Sequence, residues 1–194
     1  MTTAPDGVVL REVGDGDFVA LLAEIFRTEG AAQYLGEAVS MSEHMLQTAA
    51  NARAAGEPDA LVVACLLHDI GHFANAQAAA DDWHRRHDEA GGAFLLGRFP
   101  PEVVEPVRLH VAAKRYLCAV EPTYLDTLSH ASVETLRVQG GPMSADEVAV
   151  FERNPHHRAA VRLRRYEEQG KREGAVAGTF DDHAPLVRRL LVTR

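Results

Sequence analysis

Apolar residues in this 194-residue chain recur three and four positions apart, and strict apolar/polar alternation is almost absent. A period near that of the α-helix, with alanine and leucine dominant and β-branched residues scattered, predicts an all-α protein. Helices are expected over 16–28, 38–55, 58–72, 81–97, 100–120, 122–138, 144–152, 155–170 and 181–192. The punctuation agrees: Pro58, Pro100, Pro122 and Pro155 stand where helices can begin, and Gly56, Gly97 and Gly170 where they can end. Ser144, followed by Asp146 and Glu147, reads as an N-cap with acids in the first turn. The stretch EGAVAG from Glu173 reads as a loop before the last helix. Residues 1–15 are expected to be poorly ordered, and 16–194 to form one domain.

Composition narrows the function. The chain is 46% hydrophobic with a formal net charge of -8 and no long Lys/Arg run, which disfavours a nucleic-acid or anionic-membrane surface but leaves room for a small anion in a local cationic pocket. Cys65 and Cys118 form no CxxC pair, so neither a disulfide framework nor a zinc ribbon is indicated. No basic-then-apolar leader and no membrane-spanning run is visible, and the expected location is the cytoplasm.

Chemistry concentrates at the end of an apolar segment, VVACLLHDIGH, where His68 and Asp69 are adjacent. Successive helical residues diverge by about 100°, so both can serve one spot only if something sits between their directions, as a metal ion can. His44 lies on the preceding expected helix, and His87 and His110 on the next two. Taken singly, each is better read as an ordinary helix-surface histidine. Taken together, four histidines on four consecutive helices with one aspartate make a dinuclear site, with Asp69 as the natural bridge. His84, one turn before His87, is the rival for that position, while His130, His156, His157 and His183 fall off the pattern and are expected at the surface.

The passages YLGEAVSMSEHMLQ, LLHDIGH, HVAAKRYL and SHASVETLRVQGGPM together resemble the HD-domain superfamily in its dinuclear form, and more narrowly the phosphonate-cleaving mixed-valent diiron oxygenases. The resemblance runs from about Tyr34 to Lys171 and implies an HD-domain helical bundle with the metal site between helices. It implies two iron ions in the Fe(II)/Fe(III) state, one held by His44, His68, Asp69 and Glu167 and the other by Asp69, His87 and His110. Glu167 stands where the family has aspartate, which keeps the ligand chemistry and adds one methylene. Tyr34 and Glu37 match a gate over the second metal, and His72 is expected to touch substrate or support the ligands. Met41 replaces a polar residue, which suggests a less polar surround for part of the substrate.

The same resemblance puts Lys114, Ser132, Thr135, Gln139 and Arg164 around a phosphonate, a group that asks for several donors from different directions. The implied reaction uses O2 to cleave the C–P bond of a small 1-hydroxyphosphonate, such as a 2-amino- or 2-trimethylammonio-1-hydroxyethylphosphonate, into phosphate and a carboxylic acid. A separate oxygenase is the expected supplier of the hydroxylated substrate. The alternatives are an HD-type metal-dependent phosphohydrolase, which shares nearly every ligand, and an inactive HD-fold binding protein, supported only by the glutamate at 167.

Overall fold

The computed structural model describes residues 15–34, 36–74 and 86–192. Among them there is no strand, only an isolated bridge between Leu96 and Phe99. The helices are α1 (Asp15–Arg27), α2 (Glu29–Ala32), α3 (Met41–Ala54), α4 (Asp59–Leu67), α5 (Gly71–Ala74), α6 (His87–Leu95), α7 (Pro101–Val120), α8 (His130–Val138), α9 (Ala145–Glu152), α10 (His157–Gln169) and α11 (Ala184–Leu190), with short 3-10 turns at Leu125–Thr127 and Phe180–Asp182. No helix among the described residues is long and apolar enough to cross a membrane.

The apolar segment explains the layout. Every residue of α4 from Leu61 to Leu67 is buried, so this helix needs neighbours on all sides. It packs against α3 and α7, while α10 lies across α3 and α7, and α6 and α5 close the far side. Phe18, Leu22, Met45, Leu66, Ile70, Leu95 and Leu163, none measurably exposed, come from five helices and the turn after α4 and fill the core between. Each such side chain contributes about 1.5–3 kcal/mol through its removal from water.

Local chemistry trims the expected elements. The helix expected from 38 starts at Met41, because Ser40 forms a capping box with Glu43. Ser144 and Glu147 do the same for α9. The helix expected over 122–138 forms only from His130: Ser129 accepts a hydrogen bond from the Ser132 amide, and the residues before it turn through the 3-10 segment. The four-residue α2 was not expected from the pattern, and the expected helix over 181–192 shortens to α11 behind a 3-10 turn. That turn buries His183, expected at the surface, against an Arg53 donor 3.2 Å from its Nδ1. Residues 1–14 and the His84 position lie outside the described residues.

The largest departure is inside 58–72. α4 stops at Leu67, and the chain bends through three-residue hydrogen bonds from the Ile70, His72 and Phe73 amides to Leu67, Asp69 and Ile70 before α5. The Cys65 carbonyl, which a continuous helix would give to the Asp69 amide, instead accepts from His68 Nδ1 at 2.9 Å. The bend carries Gly71 against α6, where a Cβ would lie 1.8 Å from the His87 carbonyl oxygen and 2.5 Å from the Gly91 nitrogen.

Replacing Gly71 with alanine is therefore expected to push α5 from α6 and destabilise the protein by about 3 kcal/mol. Gly56→Ala meets nothing within 4 Å and should cost only the about 1–2 kcal/mol of a left-handed backbone at φ 75°. Thermal unfolding of the two variants measures the difference.

Candidate metal centre

Four helices and the bend after α4 deliver the polar groups to one place. His44 comes from α3, His68 and Asp69 from the bend, His87 from the first residue of α6, His110 from the middle of α7, and Glu167 from the last turn of α10. All are less than a tenth exposed. They fall into two sets, His44, His68 and Glu167 in one and Asp69, His87 and His110 in the other, each with ligand atoms within 4.8 Å of one another.

Asp69 faces both sets with different oxygens. Its Oδ2 lies 3.2 Å from His68 Nε2 and 3.8 Å from His44 Nε2, while its Oδ1 lies 3.4 Å from His87 Nε2 and 3.6 Å from His110 Nε2. Metal–ligand bonds of about 2.1 Å put neighbouring donors about 3 Å apart, the spacing found here.

The backbone aims the imidazoles. A carbonyl oxygen can only accept, so His44 Nδ1–H donates to Gly170 at 3.0 Å, His68 Nδ1–H to Cys65 at 2.9 Å, and His110 Nδ1–H to Val107 at 2.6 Å. In the neutral ring this leaves Nε2 as a lone pair turned inward. Burial, reinforced by His68, pushes His44 down to about 3, so that ring is neutral near pH 7. Burial and then His72 and His110 likewise hold His87 well below the usual imidazole range. Burial opposes ionisation of Asp69, but the surrounding imidazoles, His68 first, outweigh it and keep the carboxyl well below its ordinary range.

The Nε2 atoms of His44 and His68 are 3.2 Å apart, and those of His87 and His110 are 2.9 Å apart. Glu167 Oε2 is buried with no hydrogen-bond partner among the described residues. Lone pairs converging this closely are mutually repulsive unless a cation lies between them. The donor set of imidazoles with bridging and terminal carboxylates suits first-row transition metals, so the residues fit two such ions.

A cavity of about 80 Å³ opens above these ligands. Lys114, Ser132, Thr135, Gln139 and Arg164 all line it, as do His72 and Glu37. Lys114 Nζ donates to Thr135 Oγ1 at 2.8 Å, and burial, then Arg164 and Lys171, depress its pKa to about 7. His72 stacks on the His87 ring at a centroid distance of 4.2 Å, with its Nε2 3.9 Å from Asp69 Oδ1. Tyr34 is exposed and is not part of the cavity wall, whereas Glu37 accepts from Ser129 Oγ at 2.6 Å and pairs with Lys171 at 2.9 Å.

Sequence reasoning missed Lys171 in this wall and several groups that stand behind it. Lys171 Nζ donates to Ser132 Oγ at 2.7 Å and Ser129 Oγ at 3.1 Å and pairs with Glu168 at 3.4 Å. Tyr124, Ser129, Glu168 and the Gly170 carbonyl were missed too. The signals were faint: Ser129 is readable as an N-cap, and Lys171 follows the helix-stopping Gly170, but neither spacing indicates a shared cavity. Val39, Met41 and Val111 form an apolar part of the wall.

The HD domain family matches residues 41–131, which span His44, His68, Asp69, His87 and His110. The chain is 45% identical over 179 residues, 91% of each chain, to a Leisingera caerulea protein named 1-hydroxy-2-(trimethylamino)ethylphosphonate dioxygenase (glycine-betaine-forming). It is 40% identical to the hydroxymethylphosphonate dioxygenase of Gimesia maris, over 82% of this chain and 81% of that one. An uncharacterized protein of Acanthamoeba polyphaga mimivirus is 31% identical over 79% of this chain and 72% of its own. With this identity and coverage laid over the ligand-bearing helices, the chain belongs to the HD-domain family of phosphonate dioxygenases.

Proposed function

We propose that this protein cleaves the C–P bond of a small 1-hydroxyphosphonate with O2, using two iron ions held by His44, His68, Asp69 and Glu167 on one side and Asp69, His87 and His110 on the other. The observation that carries the reading is Asp69, whose two oxygens face separate histidine sets beneath a cavity walled by cations. Iron bound there would supply the one-electron chemistry that activates O2 and oxidises C1, work that side chains do not perform. The products are phosphate and a carboxylate, one oxygen atom of O2 entering each. A separate hydroxylation reaction must supply the C1 hydroxyl.

The chain's own residues bind and orient. Lys114 and Lys171 neutralise the phosphonate from two directions as point charges. Ser132 Oγ accepts from Lys171 and Arg164, which leaves its O–H to donate to a phosphonate oxygen. Thr135, which donates to the Ser132 carbonyl at 3.1 Å, holds Lys114 in place. Gln139, at the end of α8, completes the anion wall, and His72 braces the His87 ring. Glu37, moved from Lys171 as the anion arrives, is the acidic gate, and Tyr34, exposed outside the wall, is its partner in that gate.

The substituent at C2 faces a choice between a hydrogen-bonding ammonium and a methylated one. Val39, Met41 and Val111 offer apolar contact and Glu37 a negative charge, a combination that suits a trimethylammonium group, which has methyls to bury and no hydrogen to donate. The name of the Leisingera relative supports the same choice.

The deciding assay is phosphate release from 1-hydroxyphosphonates by the iron-loaded protein, with and without O2. The expected result is O2-dependent release, fastest for the 2-trimethylammonio compound and slower for the 2-amino and hydroxymethyl ones. Release from phosphoesters without O2 would make it a hydrolase, and no turnover with full iron loading a binding protein.

Elemental analysis should find about two irons per chain in the wild type and about one in His44→Ala or His110→Ala. Asp69→Ala should hold neither ion firmly. Activity should fall at least about 100-fold in each.

Lys114 gives a pH signature. With burial holding its pKa near 7, it is charged below that pH and neutral above it. Phosphonate affinity should therefore weaken as pH rises past about 7, and Lys114→Met should bind weakly throughout and lose that dependence in an anaerobic titration with hydroxymethylphosphonate.

A further inference from the structure

The glutamate at 167 reaches the metal site on an arm one methylene longer than the aspartate of the related pattern, with one more rotatable bond. A ligand that flexible needs something to hold it. We infer that Arg164, itself fixed by Tyr124, is the positioning residue that aims the Glu167 carboxylate at the site of His44 and His68. The inference rests on the two-metal reading above and concerns residues that reading does not count as ligands.

Arg164 is 1% exposed, and its donors account for themselves. A guanidinium carries five N–H bonds in a rigid plane. Nε donates to the Tyr124 hydroxyl at 3.1 Å, Nη1 to Glu167 Oε1, and Nη2 to Glu168 Oε2 and to Ser132 Oγ at 3.3 Å. Only one N–H is left for anything that enters the cavity, so this arginine serves protein carboxylates first.

The spacing makes the hold geometric. Glu167 and Glu168 lie three and four residues beyond Arg164 on α10, the two separations at which helical side chains meet. The fork straddles them, taking one carboxylate on each terminal nitrogen. With Oε1 of Glu167 engaged, Oε2 is left buried and without a hydrogen-bond partner among the described residues, on a carboxylate that groups with His44 and His68. That unpartnered oxygen is the atom a cation would satisfy.

Tyr124 closes the arrangement from outside the helix. It is 5% exposed, in the turn before α8, and its hydroxyl accepts the Nε–H that would otherwise let the guanidinium rotate. The Ser129 amide, in the same stretch, donates to Glu168 at 3.2 Å and ties this segment to α10 a second time. No local pattern hints at this, since Tyr124 and Glu167 are far apart in the chain.

The test is metal affinity, read with Co(II) by visible absorption and equilibrium dialysis in the absence of O2. Wild type should bind two Co(II) per chain. Arg164→Lys keeps the charge but loses the fork, and should weaken one of the two sites by about 10–100-fold while sparing the other. Tyr124→Phe, a milder change that leaves packing intact, should weaken the same site several-fold. Arg162→Gln removes a half-exposed arginine of the same helix that pairs with Glu57, and should leave both sites unchanged.

A double-mutant cycle separates aim from mere packing: in a Glu167→Gln background, adding Arg164→Lys should cost that site little more. Equal further loss in both backgrounds, loss at both sites together, or no loss in Arg164→Lys and Tyr124→Phe would each overturn the inference. A wild type that binds fewer than two Co(II) would instead overturn the two-metal reading on which it stands.

Discussion

Three imidazoles in this protein have their outer nitrogens tied to backbone carbonyls, and everything else at the site follows from that. Because Gly170, Cys65 and Val107 each accept an Nδ1–H, the rings of His44, His68 and His110 turn Nε2 inward toward Asp69. Four histidines and two carboxylates are thus packed together, each less than a tenth exposed. A buried cluster of this kind repels itself and stands against the free energy of folding. The two cations of the proposed centre would convert the same contacts into bonds, so that metal binding would be coupled to folding.

The bend after Leu67 is how the chain turns adjacent residues toward two different sets of donors. A continuous helix would point His68 and Asp69 about 100° apart with one side chain committed to each direction. Stopping α4 frees the Cys65 carbonyl for the His68 ring and lets Asp69 stand between the histidine sets. The bend is held by the close approach of Gly71 to α6, which also fixes His87 at that helix's first turn. The apolar α4 below it, buried on all sides, is the platform that keeps the bend still.

Above the metal-site side chains, cations gather. The chain as a whole carries -8, yet the cavity wall concentrates Lys114, Lys171 and Arg164. Each cation is balanced or supported by a neighbour, Lys171 by Glu37 and Glu168, Arg164 by Glu167 and Glu168, and Lys114 by Thr135. An entering dianion meets a wall whose charge is prepared in advance, so less reorganisation is needed on binding.

Much of this was legible along the chain. Helical period, caps and prolines carried the all-α architecture, and the histidine order marked His44, His68, Asp69, His87 and His110 before any coordinates, because residue type and helical spacing are local properties. The break at His68, the burial of His183, the arrival of Lys171 in the cavity wall and the placement of Tyr124 behind it were not legible. Each depends on a partner distant in sequence: Gly71 on the His87 carbonyl, His183 on Arg53, Tyr124 on Arg164 and Lys171 on Ser132. Periodicity reports which face of a helix is apolar, but only packing decides which carbonyl a ring meets or which carboxylate an arginine must hold. The amino-acid order therefore set the kinds of ligand and the helices that bear them, while tertiary structure decided their aim, since aim is a matter of contacts between segments that the chain's local pattern does not encode.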